Sequence, residues 1–177
     1  MQDPRLDRLR ALVRDIEDFP KPGIVFKDIT PLLLDAGGLK EAVSMLADPY
    51  RGAGIERVIG IESRGFILGT PVALELGCGF VPVRKPGKLP APARREEYQL
   101  EYGTDAVEIH QDALSPGQKV LLVDDVLATG GTMQAAHRLV VDSGAEVAGI
   151  AFLMELSFLN GAAKLQGAGE IHSLITY

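Results

Sequence analysis

The sequence predicts an α/β fold: a parallel sheet covered by helices, with one long excursion between strands. Three observations lead there. Short apolar runs rich in Val, Ile and Leu recur at 57–61, 80–83, 119–123 and 147–153. These runs are apolar throughout rather than alternating, the mark of strands buried on both faces. Segments with helical apolar spacing stand between several of them, and strand–helix alternation of this kind builds a parallel sheet.

The elements follow in chain order. Leu6, Leu9, Val13 and Ile16 recur at helical spacing among charges, so residues 4–17 read as an amphipathic helix. Two prolines and a glycine between Asp18 and Gly23 end it. Ile24 to Phe26 is a short extended piece. Thr30 reads as an N-cap with Pro31 at the first helical position, opening a turn through Leu34. Gly37 and Gly38 interrupt the chain, and a helix resumes over 39–47. Then come a strand at 57–61, a turn at 63–65, a helix at 66–76 despite Pro71, and a strand at 80–83. The clearest strand is 119–123. A helix at 132–143 follows, with Gly144 as its stop. Strands at 147–153 and 171–177 complete the pattern. Residues 84–104 break the rhythm with three prolines and two glycines. A loop of that length inside a compact domain is a functional segment or a disordered one. The stretch 106–110 is able to pair with 98–102 as a hairpin arm.

A length of 177 residues fits a single domain with enough interior to fold without staples. The hood of that domain is expected from about 18–34 and its flexible loop from about 84–104. The chain is 46% hydrophobic and 24% charged, as ordinary globular proteins are. The one cysteine, Cys78, closes no intrachain disulfide and fits a reducing compartment. A net charge of −6 argues against coating nucleic acid or an anionic membrane. No run reaches the ~18 apolar residues of a membrane helix, and the N-terminus lacks the apolar core of a signal peptide. The expected setting is cytoplasmic, with small molecules as partners, no nucleic acid and no membrane.

The chemistry concentrates in VLLVDDVLATGGT at 120–132. An apolar strand runs into two adjacent acids, Asp124 and Asp125. Ala128, Thr129, Gly130, Gly131 and Thr132 follow, and then a helix. Ligands of open α/β sheets sit at the C-terminal strand ends. Glycines let the backbone curl around an anion, and a helix N-terminus aims free N–H groups at it. Each charge-assisted bond of this kind contributes roughly 1.5–3 kcal/mol. Two acids repel a phosphate but suit hydroxyls or a divalent cation. Acids beside a phosphate cradle therefore point to a sugar phosphate. The loop is neither a Walker A sequence nor a dinucleotide fingerprint, since both glycine spacings are absent.

At these residues the chain resembles the 5-phosphoribosyl-1-pyrophosphate signature of the type I phosphoribosyltransferases. DFPKPGIVFKDITPLL at 18–33, GIESRGFILG at 60–69, VRKPGKLP at 83–90, YQLEYG at 98–103 and MELSFLNG at 154–161 narrow the resemblance to the adenine phosphoribosyltransferases. It implies a type I phosphoribosyltransferase core, a small N-terminal hood and a long flexible catalytic loop. The implied activity transfers the 5-phosphoribosyl group to N9 of adenine, giving AMP and pyrophosphate. Asp124 and Asp125 would hold the ribose hydroxyls, and Ala128 to Thr132 the 5′-phosphate. Alanine at 128, where six-oxopurine enzymes carry an acid, favours adenine. Glu62, Ser63 and Arg64 would form the pyrophosphate loop, which in the family often contains a non-proline cis peptide. Arg84 and Lys88 would join it, Arg84 across a homodimer interface. Val25, Phe26 and Lys27 would read adenine, and Leu159 would close the other face. Glu101 would be the catalytic acid–base, Tyr102 would steady the closed loop, and Mg²⁺ would be bound through the substrate.

Several of these residues have plainer readings by themselves. Glu101 alone is a solvated loop carboxylate, Phe26 alone a core residue, and residues 94–97 a solvated loop tip. His110, His137 and His172 lack metal-ligand spacing. A non-catalytic phosphoribosyl-binding regulator would need a nucleic-acid surface, which one N-terminal helix and an acidic chain do not provide.

Overall fold

The computed structural model describes residues 3–99 and 103–177. Its centre is a five-stranded sheet formed by β3 (Arg57–Ile61), β4 (Gly79–Val83), β7 (Lys119–Leu127), β8 (Glu146–Glu155) and β9 (Ile171–Thr176). Their order is β4-β3-β7-β8-β9, and every pairing is parallel. Pro82 sits on the edge strand β4, where a missing N–H is tolerated.

Successive residues of each strand feed opposite cores. Val58, Leu121 and Ala151 pack on one face with α3 (Ala36–Ala47) and α4 (Arg64–Leu76). Ile59, Leu122 and Ile150 pack on the other with α5 (Gly131–Asp142), through Met133, Ala136 and Leu139. This two-sided burial is why the strands read as continuous apolar runs. The second face is completed by the hairpin β5 (Ala93–Gln99) and β6 (Thr104–His110), which contributes Tyr98, Val107 and Ile109.

The N-terminal segment departs from its sequence reading. Helix α1 spans only Pro4–Ala11. The chain then extends as β1 (Arg14–Ile16), antiparallel to β2 (Phe26–Asp28). Cross-strand pairs Arg14–Asp28 and Lys27–Asp15, at 2.6 and 2.7 Å, favour the extended form. Both are partners distant in sequence, so local periodicity could not register them. The expected hood at 18–34 is thus a two-stranded ribbon beginning at Arg14, together with α2 (Thr30–Leu34). Thr30 is the first residue of α2 rather than its cap; its N–H and hydroxyl both donate to Asp28 Oδ1.

Other differences have equally specific causes. Gly37 and Gly38 do not interrupt the chain; they open α3, capped by Asp35, whose Oδ1 accepts from the Gly38 N–H at 2.6 Å. Their lack of side chains admits α1, for a Cβ on Gly38 would come within 2.5 Å of Leu12 Cδ1. The stretch 84–104 is not a loop throughout. Residues 93–99 form a strand whose partner is 104–110, so the hairpin involves 93–99 and not 98–102. The charged run 94–97 lies in this strand, with Arg94 donating to Asp142 O and Arg138 donating to Glu96. Strand β7 runs on to Leu127, so Asp124 and Asp125 lie within it, held by a long ladder to β8. The stop at Gly144, with φ +79°, stands as read.

One close approach sets the geometry around β3. A Cβ on Gly60 would stand 2.7 Å from the Gly65 carbonyl oxygen and from the Phe80 ring. The first turn of α4 therefore lies directly on the strand. Gly60→Ala is expected to cost about 1–3 kcal/mol by overpacking. Thermal unfolding should show it as a fall in Tm of about 2–4 °C per kcal/mol.

Candidate active site

The C-terminal ends of β3 and β7 open into a cavity of about 370 Å³. Its walls come from two loops. One is Glu62 to Arg64, which leaves β3 and enters α4. The other runs from Asp124 through Thr132, out of β7 and into α5. Ten residues anticipated from the sequence meet here: Glu62, Ser63, Arg64, Asp124, Asp125, Ala128, Thr129, Gly130, Gly131 and Thr132. The Glu62–Ser63 peptide is cis.

Gly130 makes the turn into α5 in the left-handed conformation, φ +77°, which glycine adopts without steric cost. The first N–H groups of the helix have no intrahelical acceptors and face the cavity end of the loop. The loop is also shaped from behind. A Cβ on Gly161 would lie 2.2 Å from the Ala128 carbonyl oxygen, and one on Gly130 would lie 2.5 Å from the Gly161 carbonyl. The backbone after β8 thus presses against the loop. Gly161 belongs to the MELSFLNG stretch, but its role was not legible, because nothing in sequence spacing reports backbone approach.

The acid pair is electrostatically loaded. Asp125 is buried, and Asp124 accepts the Asp125 N–H at 2.9 Å. Burial pushes both carboxyls up, and for Asp124 the neighbouring Asp125 charge adds to it. Arg64 opposes this, its Nε standing 2.6 Å from Asp125 Oδ2. The N–H is not aimed at that oxygen, which is left without a hydrogen bond. A cavity-lining carboxylate that is ion-paired but lacks a hydrogen bond at that oxygen suits an added hydroxyl donor. Among the described residues no group of three His, Cys, Asp or Glu is placed to hold a metal. His172 lies 3.4 Å from the Met45 carbonyl, remote from such a role.

Lys85 was missed by sequence reasoning. It lines the cavity, and its ammonium binds Asp105 and Tyr98. Arg84 and Lys88 do not line it. Arg84 Nη1 donates to the Lys88 carbonyl at 3.1 Å, and its Nε lies 3.4 Å from Glu62 Oε2. The same Glu62 oxygen accepts the Lys85 N–H at 3.0 Å, so Glu62 ties its loop to the end of β4.

Of the residues expected to read a base, Phe26 is tied to the cavity wall through Arg64, and none of the four lines the cavity itself. The Arg64 guanidinium lies 5.2 Å from the centroid of the Phe26 ring, which links Phe26 to the acid pair. Phe19 packs edge-on against Phe26. Val25 and Leu159 are 48% and 40% exposed, free to meet a ligand. The Lys27 side chain is engaged by Asp15 and the Tyr177 ring. Glu101 and Tyr102 lie outside the described residues.

A parallel sheet carrying an acid pair and a glycine-turned anion loop at its strand ends defines a sugar-phosphate-binding α/β protein. Comparison with known proteins sharpens this. Residues 38–173 match the family described as phosphoribosyl transferase domain. A protein named adenine phosphoribosyltransferase from Anaeromyxobacter dehalogenans is 58% identical, covering 97% of this chain and 99% of its own length. The crystal structure of adenine phosphoribosyltransferase from Rhodothermus marinus superimposes with a TM-score of 0.94 at 50% identity, covering 98% of this chain and 99% of that one. The Saccharomyces cerevisiae enzyme, solved with an imino-altritol bisphosphate and adenine, gives a TM-score of 0.92 at 37% identity, over 97% and 98% of the two chains. The chain belongs to the phosphoribosyltransferases, and within them to the adenine phosphoribosyltransferase family. Among the described residues no helix is long and apolar enough to cross a membrane.

Two outcomes follow from this geometry. Gly161→Ala should weaken ribose 5-phosphate binding by more than about tenfold, because the loop must shift by an appreciable fraction of an ångström or more; titration calorimetry checks this. Asp124→Asn keeps the acceptor for the Asp125 N–H and removes a charge whose ionisation the fold resists. A raised carboxyl pKa costs stability as pH rises above the unfolded value of about 3.9. The variant should therefore melt higher than the parent at pH 8, by about 2–4 °C per kcal/mol relieved. The gap should close as pH falls toward about 4.

Proposed function

We propose that the chain transfers the 5-phosphoribosyl group from 5-phosphoribosyl-1-pyrophosphate to N9 of adenine, releasing AMP and pyrophosphate. The single observation that carries this reading is the shared cavity of acid pair and anion loop. It fits a ribose whose hydroxyls meet Asp124 and Asp125 while its 5′-phosphate takes the backbone of 128–132. The pyrophosphate falls to the other wall, where Ser63, Arg64 and Lys85 offer donors and positive charge. The bond from C1′ to the pyrophosphate oxygen breaks, that from C1′ to N9 forms, and the imidazole proton of adenine must leave.

Glu101 is the residue we assign to that proton, at adenine N7, in general acid–base catalysis. Phe26 stacks on the purine, the backbone at Val25 and Lys27 pairs with its edge, and Leu159 covers its other face. Ala128 leaves no acid to recognise a six-oxo purine. Tyr102 steadies the closed segment that excludes water from the developing cation. With Asp124 and Asp125 assigned to the ribose hydroxyls, Mg²⁺ would be bound through the oxygens of the substrate, with no direct protein ligand. Bound so, it supplies neutralising charge to the leaving pyrophosphate. A homodimer is part of the proposal, with Arg84 reaching across the interface toward the pyrophosphate and Lys88 assigned to the pyrophosphate as well. A cytoplasmic setting fits the unpaired Cys78.

The test is pyrophosphate release with 5-phosphoribosyl-1-pyrophosphate and Mg²⁺ against adenine, hypoxanthine, guanine, xanthine and orotate. Turnover is expected with adenine alone, and Glu101→Ala should reduce it by about 10²–10⁴-fold. Turnover with another base would sink the assignment of 25–27 and Ala128. Binding of nucleotide without turnover would sink the enzyme.

A further inference from the structure

Lys85 reaches the cavity in the company of two groups that belong to the hairpin. Its ammonium bonds Asp105 Oδ2 and donates to the Tyr98 hydroxyl at 2.8 Å. The Tyr98 hydroxyl in turn donates to the same Asp105 oxygen at 3.0 Å, closing a triangle. Tyr98 and Asp105 are cross-strand partners in β5 and β6, one step before the pair Gln99 and Thr104. The triangle thus sits next to the last described pair of the hairpin. It also touches the anion loop, since a Cβ on Gly131 would lie 3.3 Å from Tyr98 Cδ2. The Lys85 backbone is fixed nearby: its N–H binds Glu62, and its neighbour Arg84 bridges Glu108 of β6 in both directions. Only the Lys85 side chain is left to move.

An ammonium whose charge is compensated attracts an anion less than a free one. Burial works against the Lys85 charge, but its bonds to Asp105 and Tyr98 outweigh this and hold the group above its usual range; the Lys85 bond holds Asp105 below its own. The pair is therefore fully ionised at neutral pH, with one of the cavity's few cations held by an internal carboxylate.

We propose that Asp105 is a positioning residue that competes with the pyrophosphate group for Lys85. It weakens the hold of the site on that group, and so favours release of the product from the same wall that binds the substrate. The inference rests on the phosphoribosyl-transfer reading above. It differs from a plain structural role in sign. A carboxylate that merely braced the hairpin would, on removal, loosen the site and weaken anion binding; a competitor, on removal, strengthens it.

The experiment titrates Mg²⁺-pyrophosphate into the full chain by calorimetry, alongside Asp105→Asn. The pair is about one-third exposed, so a gain of about three- to fivefold in affinity is expected. KM for 5-phosphoribosyl-1-pyrophosphate and product inhibition by pyrophosphate should move in the same proportion. Asp105→Glu should restore parental affinity. In a Lys85→Met background, Asp105→Asn should change nothing, because the competition needs both partners. Asp105→Ser, which keeps an acceptor for Tyr98, serves as a second variant should Asn disturb folding. Unchanged or weaker pyrophosphate binding in variants of parental Tm would overturn the proposal alone. Failure of the parent chain to bind pyrophosphate would overturn the phosphoribosyl-transfer reading with it.

Discussion

The guanidinium of Arg64 joins the three parts of the cavity. It begins α4, so it belongs to the loop that leaves β3. Its Nε stands against Asp125 on β7, and its guanidinium carbon lies over the Phe26 ring of the N-terminal ribbon. Arginine suits this position because it stays charged under all relevant conditions and offers a flat face as well as donors. The ring of Phe26 is held by Phe19 on one side and approached by the cation on another. Without a cation at this point, the adjacent carboxylates of Asp124 and Asp125 would lack a counter-charge. The ribbon would also lose its tie to the sheet.

That arrangement places function at odds with stability. Parallel strands bury their residues on both faces, and yet β7 carries two acids in succession. Alternation sends them to opposite sides, where Asp125 is enclosed and Asp124 is partly covered. Asp124 accepts only the Asp125 N–H, and an oxygen of Asp125 has no hydrogen bond within the protein. Groups left this way are ready for a ligand, because little internal bonding has to be given up on binding. The cost is carried by the dense apolar packing on both sides of the sheet.

Much of this was legible before any coordinates. The strands at 57–61, 119–123 and 147–153 announce themselves by largely apolar runs, since burial on both faces leaves few polar positions to blur them. The anion loop is equally visible, because acids, glycines and threonines in nine residues have no common structural use. What could not be read depends on partners distant in the chain. Residues 14–16 look helical until Asp28 and Lys27 are placed opposite them. Residues 94–97 look like a solvated tip until α5 receives Arg94 and Glu96. Lys85 looks like one basic residue among several, and only its position beside the cavity separates it from Arg84 and Lys88. Resemblance supplied the roles of Glu101 and Tyr102, which no spacing or periodicity distinguishes.

The contact between Gly161 and the loop at 128–130 has a consequence for how such a site can change. Gly161 follows by two residues Leu159, an exposed side chain that we assign to the base. On the proposed reading, one short piece of backbone backs the phosphate loop and carries the base-facing side chain. An insertion or deletion that re-aimed Leu159 would displace the anion loop as well. Selectivity for a base is free to drift by side-chain replacement at 159, but not by remodelling the chain around it. A graft of the 120–132 loop onto another α/β sheet would have to bring residues 156–161 with it.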